Sequence, residues 1–493
     1  MTVAAMSNTR NWVLVLPAVA MCAIALLAED FQSPDGIEMA AAGRCMWRSV
    51  TDPSACLGLE PWLWPPAFPI LSGSIAFFSD AGQAARLASL LCAALLMIPL
   101  MAMAHRVRGP VAAVGVPLLF VATPALRLHA AAGDARTLGL LGLLGAWALA
   151  THDKGRGWTI GALAGLAGLS RPEGIFAVAL LLGWVAWRRR RLLLRSIVAF
   201  GVMMGPWWTA LSLINGQPSL TGRGWISRAY GWMSVMPNDW IIQELGVGAR
   251  NTPLRIALSS TTASAMTQDT FDPVAGGLWL AQALILIVPG WLLLLAGIGI
   301  FATISAKRKG ILEFSTLFCG LALAMGLFVQ TQDDQIPANN LLPVLVVLVL
   351  MAGIGVQHIT SRTKPAVGLA IATTCLAFGI SRSDGFHLNQ ASTLTATSRW
   401  LQTNTDSDTV LAATLKSAQI VHEANRRRTR FPSPWSARTW NHSPERAALL
   451  IVTNLDVPEV NASLRTLGEQ GDLALIAYTH NTDGWAAIFE VSK

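Results

Sequence analysis

Residues 157–187 read GWTIGALAGLAGLSRPEGIFAVALLLGWVAW, a run of about 30 mostly apolar residues. Lys154 and Arg156 precede it, and Arg188 to Arg191 with Arg195 follow it. Basic clusters mark the cytoplasmic side of a membrane chain, so both ends belong on one side and a single crossing cannot join them. Ser170-Arg171-Pro172-Glu173-Gly174 interrupts the run at its middle. The halves are roughly 12 to 14 residues, about 18 to 21 Å each at helical rise. The stretch therefore predicts a hairpin of two short helices. Arg171 and Glu173 sit at its apex, tolerable at membrane depth where the break faces protein or a wet cavity. Two readings stay open: the two ions serve a substrate, or they satisfy each other at a helix break.

The rest of the chain has the composition that such a hairpin requires. Of 493 residues, 53% are hydrophobic and 13% charged, with a mean hydropathy of +0.49. That excludes a soluble protein of ordinary composition. The net charge of +8 lies in short clusters between apolar runs, so it reports topology and not a nucleic-acid partner. Apolar runs predict spans near 11–28, 86–104, 110–126, 135–151, 196–214, 277–304, 312–330, 341–357 and 366–381. The first is read as an uncleaved helix with the N-terminus in the cytoplasm. Nineteen Trp against two Tyr fit interfacial anchoring, with Trp62, Trp64, Trp184, Trp187, Trp207 and Trp208 near span ends.

After residue 381 the composition turns polar. Thr409 to Thr414, Ala448 to Thr453, Leu473 to Tyr478 and Ala486 to Val491 read as strands, with helical segments at 417–425 and 457–470. The expected fold is mainly α: a polytopic membrane domain over 1–381 with about nine full spans plus the broken hairpin. Interfacial helices occupy its first external loop, and a small extracytoplasmic α/β domain fills 382–493. Cys45 and Cys56 share that loop, where an oxidising compartment makes a disulfide the expectation.

Two stretches could carry chemistry. Glu29-Asp30-Phe31-Gln32-Ser33-Pro34-Asp35-Gly36-Ile37-Glu38 puts four carboxylates in ten residues after the first span. Pro34 fixes the chain before Asp35, and Gly36 lets backbone approach closely. Ile37 onward reads as an amphipathic helix lying on the membrane surface. Asp35 there suits a general base, or equally a helix cap. Asp134, in Ala-Gly-Asp-Ala-Arg-Thr at the head of a span, is a second carboxylate or a dipole-favoured helix start. Residues 61–78, rich in Pro and apolar groups, predict another interfacial helix.

The order of these features, with Trp64-Pro65-Pro66-Ala67-Phe68-Pro69, Gly133-Asp134-Ala135-Arg136, Gly168-Leu169-Ser170-Arg171-Pro172-Glu173-Gly174, Pro206-Trp207 and Asn215-Gly216-Gln217-Pro218, resembles the GT-C glycosyltransferases. It is most similar to the bacterial dolichyl-phosphate-mannose and aminoarabinose transferase-like proteins. The resemblance covers most of residues 11–381. It implies transfer of a sugar, with inversion, from a polyprenyl-phosphate donor to a glycan, lipid or protein acceptor on the outer face of the inner (plasma) membrane. It also implies Asp35 as the base and Asp134 as the second acidic position. Glu38, Arg44, Arg136, Arg171, Glu173 and Arg223 are the candidate substrate contacts, Arg being suited to a phosphate through its planar fork. The chain departs from the pattern in having Gly36 after Asp35, and Asn339-Asn340 before Leu341-Leu342-Pro343 where Arg is frequent. No cofactor is required, while Asp333-Asp334 leaves a divalent cation in play. The competing reading is a transporter or flippase, in which broken helices with charged breaks also occur.

Overall fold

A computed structural model describes residues 3–27, 34–48, 64–152, 155–171, 174–215, 288–330, 338–363, 365–381, 391–406, 410–413, 427–430, 449–453, 473–481 and 484–491. Its helices are α1 (Val3–Leu27), α2 (Pro34–Arg48), α3 (Ala67–Ile75), α4 (Ala81–Arg108), α5 (Pro110–Ala122), α6 (Pro124–Ala131), α7 (Arg136–Ala150) and α8 (Gly157–Gly168). They continue as α9 (Gly174–Arg188), α10 (Arg190–Asn215), α11 (Gly290–Ser305), α12 (Lys309–Gln330), α13 (Ala338–Thr360), α14 (Pro365–Ser381) and α15 (Ala391–Asn404).

Among the described residues three helices are long and apolar enough to cross a bilayer: Ala81–Val107, Arg190–Leu213 and Leu341–Thr360. Shorter apolar helices, α7, α9 and α11 among them, accompany these. α13 is central, 72% buried over its apolar window, and α10 peripheral at 22%. α11 crosses α13 backbone to backbone. A β-carbon on Gly299 would collide with the Met351 carbonyl, and one on Gly355 with the Leu295 carbonyl. Small residues permit that approach where lipid supplies no hydrophobic drive.

The span expected over 110–126 is instead two helices, α5 and α6, bent by 77°. Pro124 has no N–H to continue α5 and holds Thr123 out of helical geometry, at φ −90° and ψ 109°. The break is closed from within. Thr123 Oγ1 donates to the Leu119 carbonyl at 2.8 Å, and buried Arg127 donates from Nη1 to the Val121 carbonyl at 2.7 Å. Of the expected span 277–304, the helix begins at Gly290 behind Pro289, and 277–287 lie outside the described residues. The two short helices predicted over 157–187 are present as α8 and α9.

The basic clusters meet at one end of the bundle. Arg106 Nη1 donates to the Ala148 carbonyl at 2.7 Å, and Arg188 of α9 pairs with Glu313 of α12. Phe314 lies tilted against Trp147, ring centroids 4.4 Å apart, and stands edge-on to Trp184 at 6.3 Å. Trp187, 60% exposed beneath the Arg188 guanidinium, has the exposure of an interfacial anchor. Trp64 and Trp184, expected as anchors, are each only 4% exposed and are packing residues.

α2 also departs from expectation. Gly36, Ile37, Met39, Ala40 to Ala42, Gly43 and Cys45 are all buried, which covers every side of the helix and not one face. Its small residues let α3 lie directly on it: a β-carbon on Gly43 would collide with the Pro69 carbonyl, and one on Gly73 with the Gly43 backbone. Ile37, Met39, Trp64, Phe68, Ala85, Ala88 and Leu138 form a second apolar core distinct from that of the main bundle.

Toward the C-terminus, β1 (Val410–Ala413), β2 (Arg427–Arg430), β3 (Leu449–Thr453), β4 (Leu473–Asn481) and β5 (Gly484–Val491) form one sheet in the order β2-β1-β3-β5-β4. β1 pairs parallel with β2 and β3, while β5 runs antiparallel to β3 and β4. Four of these match the expected runs. Arg-rich β2 was not legible, because its Arg427-Arg428-Thr429-Arg430 lacks an apolar alternation, although charge suits an edge strand. The helices expected at 417–425 and 457–470 lie outside the described residues.

The α2–α3 contact gives a direct test. Gly43→Ala is expected to cost about 1–3 kcal/mol by overpacking. Gly201→Ala in α10, whose β-carbon would meet nothing within 4 Å, is expected to be neutral or stabilising. Thermal unfolding of the two variants in detergent should separate them, and equal midpoints would contradict the packing.

Candidate active site

The site is built where four breaks in the helical bundle converge. Gly133, in the left-handed region at φ +80°, turns the chain between α6 and α7. A β-carbon on Gly36 would collide with the Gly133 carbonyl, so the first turn of α2 rests on the residue before Asp134. The backbone N–H of Ala67, the first residue of α3, donates to the Leu169 carbonyl at 2.9 Å, bringing the α8–α9 break to the same place. Ser89 of α4 pins the turn: its Oγ lies 3.1 Å from Thr137 Oγ1, 3.3 Å from the Asp134 carbonyl oxygen and 3.4 Å from that of His129.

Asp134 lies at the centre, 3% exposed. Its Oδ1 accepts the backbone N–H of Arg136 at 3.0 Å and Nη1 of Arg171 at 3.3 Å, while Oδ2 pairs with Nη1 of Arg136. Burial pushes this carboxyl upward, but Arg136 and Arg171 outweigh it and hold the group well below the usual carboxylate range. The dipole reading of Asp134 is partly realised, since it caps the first turn of α7. That reading omits the larger part, a buried carboxylate held between two guanidinium groups. Arg171, whose nearest acidic neighbour in the sequence is Glu173, reaches Asp134. Glu173 lies outside the described residues.

Asp35 is the second residue of α2, one place after Pro34, so it stands inside the first turn and not at the cap. Glu38 follows three residues on, and Arg44 and Arg48 occupy the same helix. Arg44 is partly buried, and no carboxylate among the described residues forms an ion pair with it. Burial lowers its pKa, Arg48 lowers it further and Asp80 opposes both. Arg223 lies outside the described residues. Cys45, buried on α2, is disulfide-bonded, whereas Cys22, Cys92, Cys319 and Cys375 are free thiols. Cys56 lies outside the described residues.

His129 is a member of this cluster that sequence reading missed. It is 6% exposed, it contributes to the field at Asp134, and its Nε2 has no hydrogen-bond partner. Four residues separate it from Asp134, but only the turn at Gly133 brings the two together, and no spacing rule marks that.

Among the described residues no group of three His, Cys, Asp or Glu could hold a metal ion, and both oxygens of Asp134 are already taken by guanidinium groups. Asp333 and Asp334 lie outside the described residues.

Apolar helices, broken short helices and a charged cluster at the breaks define a multi-pass membrane protein with a buried polar site. The fold is similar to that of solved ArnT and oligosaccharyltransferase structures. The chain is similar to ArnT from Cupriavidus metallidurans, solved with undecaprenyl phosphate bound, at a TM-score of 0.53 and 15% identity, covering 97% of this chain and 98% of that one. It is also similar to the oligosaccharyltransferase of Archaeoglobus fulgidus, solved with zinc and sulfate, at a TM-score of 0.55 and 12% identity over 97% of this chain and 73% of that one. The archaeal oligosaccharyltransferase AglB from the same organism, in complex with an inhibitory peptide and a dolichol-phosphate, gives a TM-score of 0.54 at 12% identity, over 97% of this chain and 74% of that one. No family model matches the sequence, and no curated protein matches it.

Asp134→Asn is expected to cost about 3–5 kcal/mol, because it removes the buried counter-charge that two partly buried guanidinium groups share. A depressed carboxyl stabilises the fold above its unfolded value of about 3.9 and loses that contribution as pH falls through the folded value. The deficit of the variant should therefore be the same at about pH 7 and pH 5 and shrink only below about pH 4. Unfolding midpoints in detergent across that range check it; a deficit that already fades between neutral pH and pH 5 would show that Asp134 is not held ionised.

Proposed function

We propose that the protein transfers a sugar from a polyprenyl-phosphate carrier to an acceptor hydroxyl at the extracytoplasmic face of the inner membrane. The observation that carries this reading is the seating of the first turn of α2, which bears Asp35, on Gly133 beside Asp134 within a GT-C fold. Lipid phosphates bound to ArnT and to AglB support the donor class.

In the proposed reaction Asp35 takes the proton of the acceptor hydroxyl. The acceptor oxygen bonds to the anomeric carbon as the bond from that carbon to the carrier phosphate breaks, and attack opposite the leaving group inverts the centre. The carrier departs as its phosphate. Arg44, on the same helix as the base and lacking an ion-pair partner among the described residues, is the group proposed to meet that charge. Asp134 acts at one remove: with Arg136 and Arg171 it ties the α6–α7 turn, on which α2 rests, to the α8–α9 break. No cofactor is required in this reading, the guanidinium groups meeting both oxygens of Asp134. Residues 1–381 are taken as the catalytic domain with a cytoplasmic N-terminus, and 382–493 as a separate extracytoplasmic domain. A bond between Cys45 and Cys56 would close the first external loop.

Membranes containing the wild-type protein should transfer label from a polyprenyl-phosphate sugar. Asp35→Asn is expected to lower kcat by about 10²-fold or more while the protein stays inserted and folded. Arg44→Gln should act mainly on donor use, and chelation with EDTA should leave the rate unchanged. Undiminished transfer by Asp35→Asn would remove it as the base, and movement of a lipid-linked sugar without transfer would favour the transporter reading. A thiol reagent should label one pair of cysteines only after reduction; labelling of Cys45 and Cys56 without reductant would disprove their bond.

A further inference from the structure

At the basic end of the bundle, away from Asp134, α11 and α13 leave an open groove of about 740 Å³. We propose that it binds an anionic phospholipid, with an acyl chain along α11 and the headgroup phosphate at Arg362. The acyl wall is Leu293, Leu294, Gly297, Ile298 and Phe301. Leu294 and Phe301 stand out as ridges, 68% and 59% exposed, and between them a β-carbon on Gly297 would meet nothing within 4 Å. The wall spans eight residues of rise, about 12 Å. In a bilayer such a trough fills with hydrocarbon, and apolar lining alone selects no particular lipid.

Selection comes from one end. His358, Arg362 and Thr363 close the groove, with the His358 ring edge-on to Phe301 at 6.1 Å. Arg362 is exposed, and no carboxylate among the described residues pairs with it. Lys307 and Arg308 lie on the turn that follows α11, so this end of the groove carries positive charge on both helices. Apolar trough and cationic mouth together fit an amphiphile with an anionic head. A free phosphate would have no use for the trough, and a zwitterionic head would gain little from the mouth. This site is separate from the catalytic reading and does not rest on it.

Native mass spectrometry of the full-length protein, released from nanodiscs of phosphatidylglycerol or phosphatidylcholine, tests the assignment. The wild type is expected to retain phosphatidylglycerol about five-fold more than phosphatidylcholine, the preference that one surface cation supports. Arg362→Gln should reduce that preference several-fold, Arg362→Lys should keep it, and inorganic phosphate should not displace the lipid. Gly297→Leu, which fills open space and leaves the fold intact, should lose the retained lipid of either kind. Equal retention of the two lipids by the wild type, unchanged preference in Arg362→Gln, or unchanged retention in Gly297→Leu would each overturn the proposal. Unfolding midpoints equal to wild type confirm that each variant reports on the groove.

Discussion

The grip of Arg136 and Arg171 on Asp134 is the interaction that most of the site's architecture serves. An isolated carboxylate this deeply buried would cost far more than a fold can spare, so the charge is kept only because two guanidinium groups meet it. Each comes from a different break. Arg136 opens α7, and Arg171 ends the segment after α8, so the ion triad ties the α6–α7 turn to the α8–α9 break. The irregular backbone between the helices is thereby held by electrostatics where regular hydrogen bonding fails. This is the setting in which non-helical chain survives at membrane depth.

The sequence showed one of the breaks but not what it binds. Two basic clusters flanking one apolar run forced a break at Ser170 to Gly174, and α8 and α9 lie where that logic puts them. The same reasoning missed the break at Pro124, because Pro117 also lies in that run and the hydropathy on either side is continuous. Asp134 and Arg171 stood out as charges in apolar surroundings, yet their pairing across 37 positions leaves no local pattern. His129 carried no signal, since its place depends on the turn at Gly133. α2 misled because its alternation of Ile37, Met39 and Ala40 to Ala42 looks like one apolar face. Only the tertiary fold shows that alanine and glycine on the remaining faces are contact surfaces too.

Glycine at the crossings has a similar part throughout. Gly43 against Pro69, Gly299 against Met351 and Gly355 against Leu295 are places where two backbones touch with no side chain between them. Dispersion at such contacts falls off steeply with separation, so they fix the spacing of helices more tightly than interdigitated side chains would. The second apolar core, from α2, α3 and the start of α4, is assembled by this means from residues of small volume.

The contact between Gly36 and Gly133 has a mechanical corollary. A layer of side chains between two segments can yield by changing rotamers, but two peptide units in van der Waals contact cannot. The helix carrying Asp35 and the turn carrying Asp134 therefore travel as one rigid body. Room for a bulky ligand must then come from displacement of some other wall of the site, and the spacing between these two carboxyl-bearing segments is a constant of the protein that no bound ligand has to set.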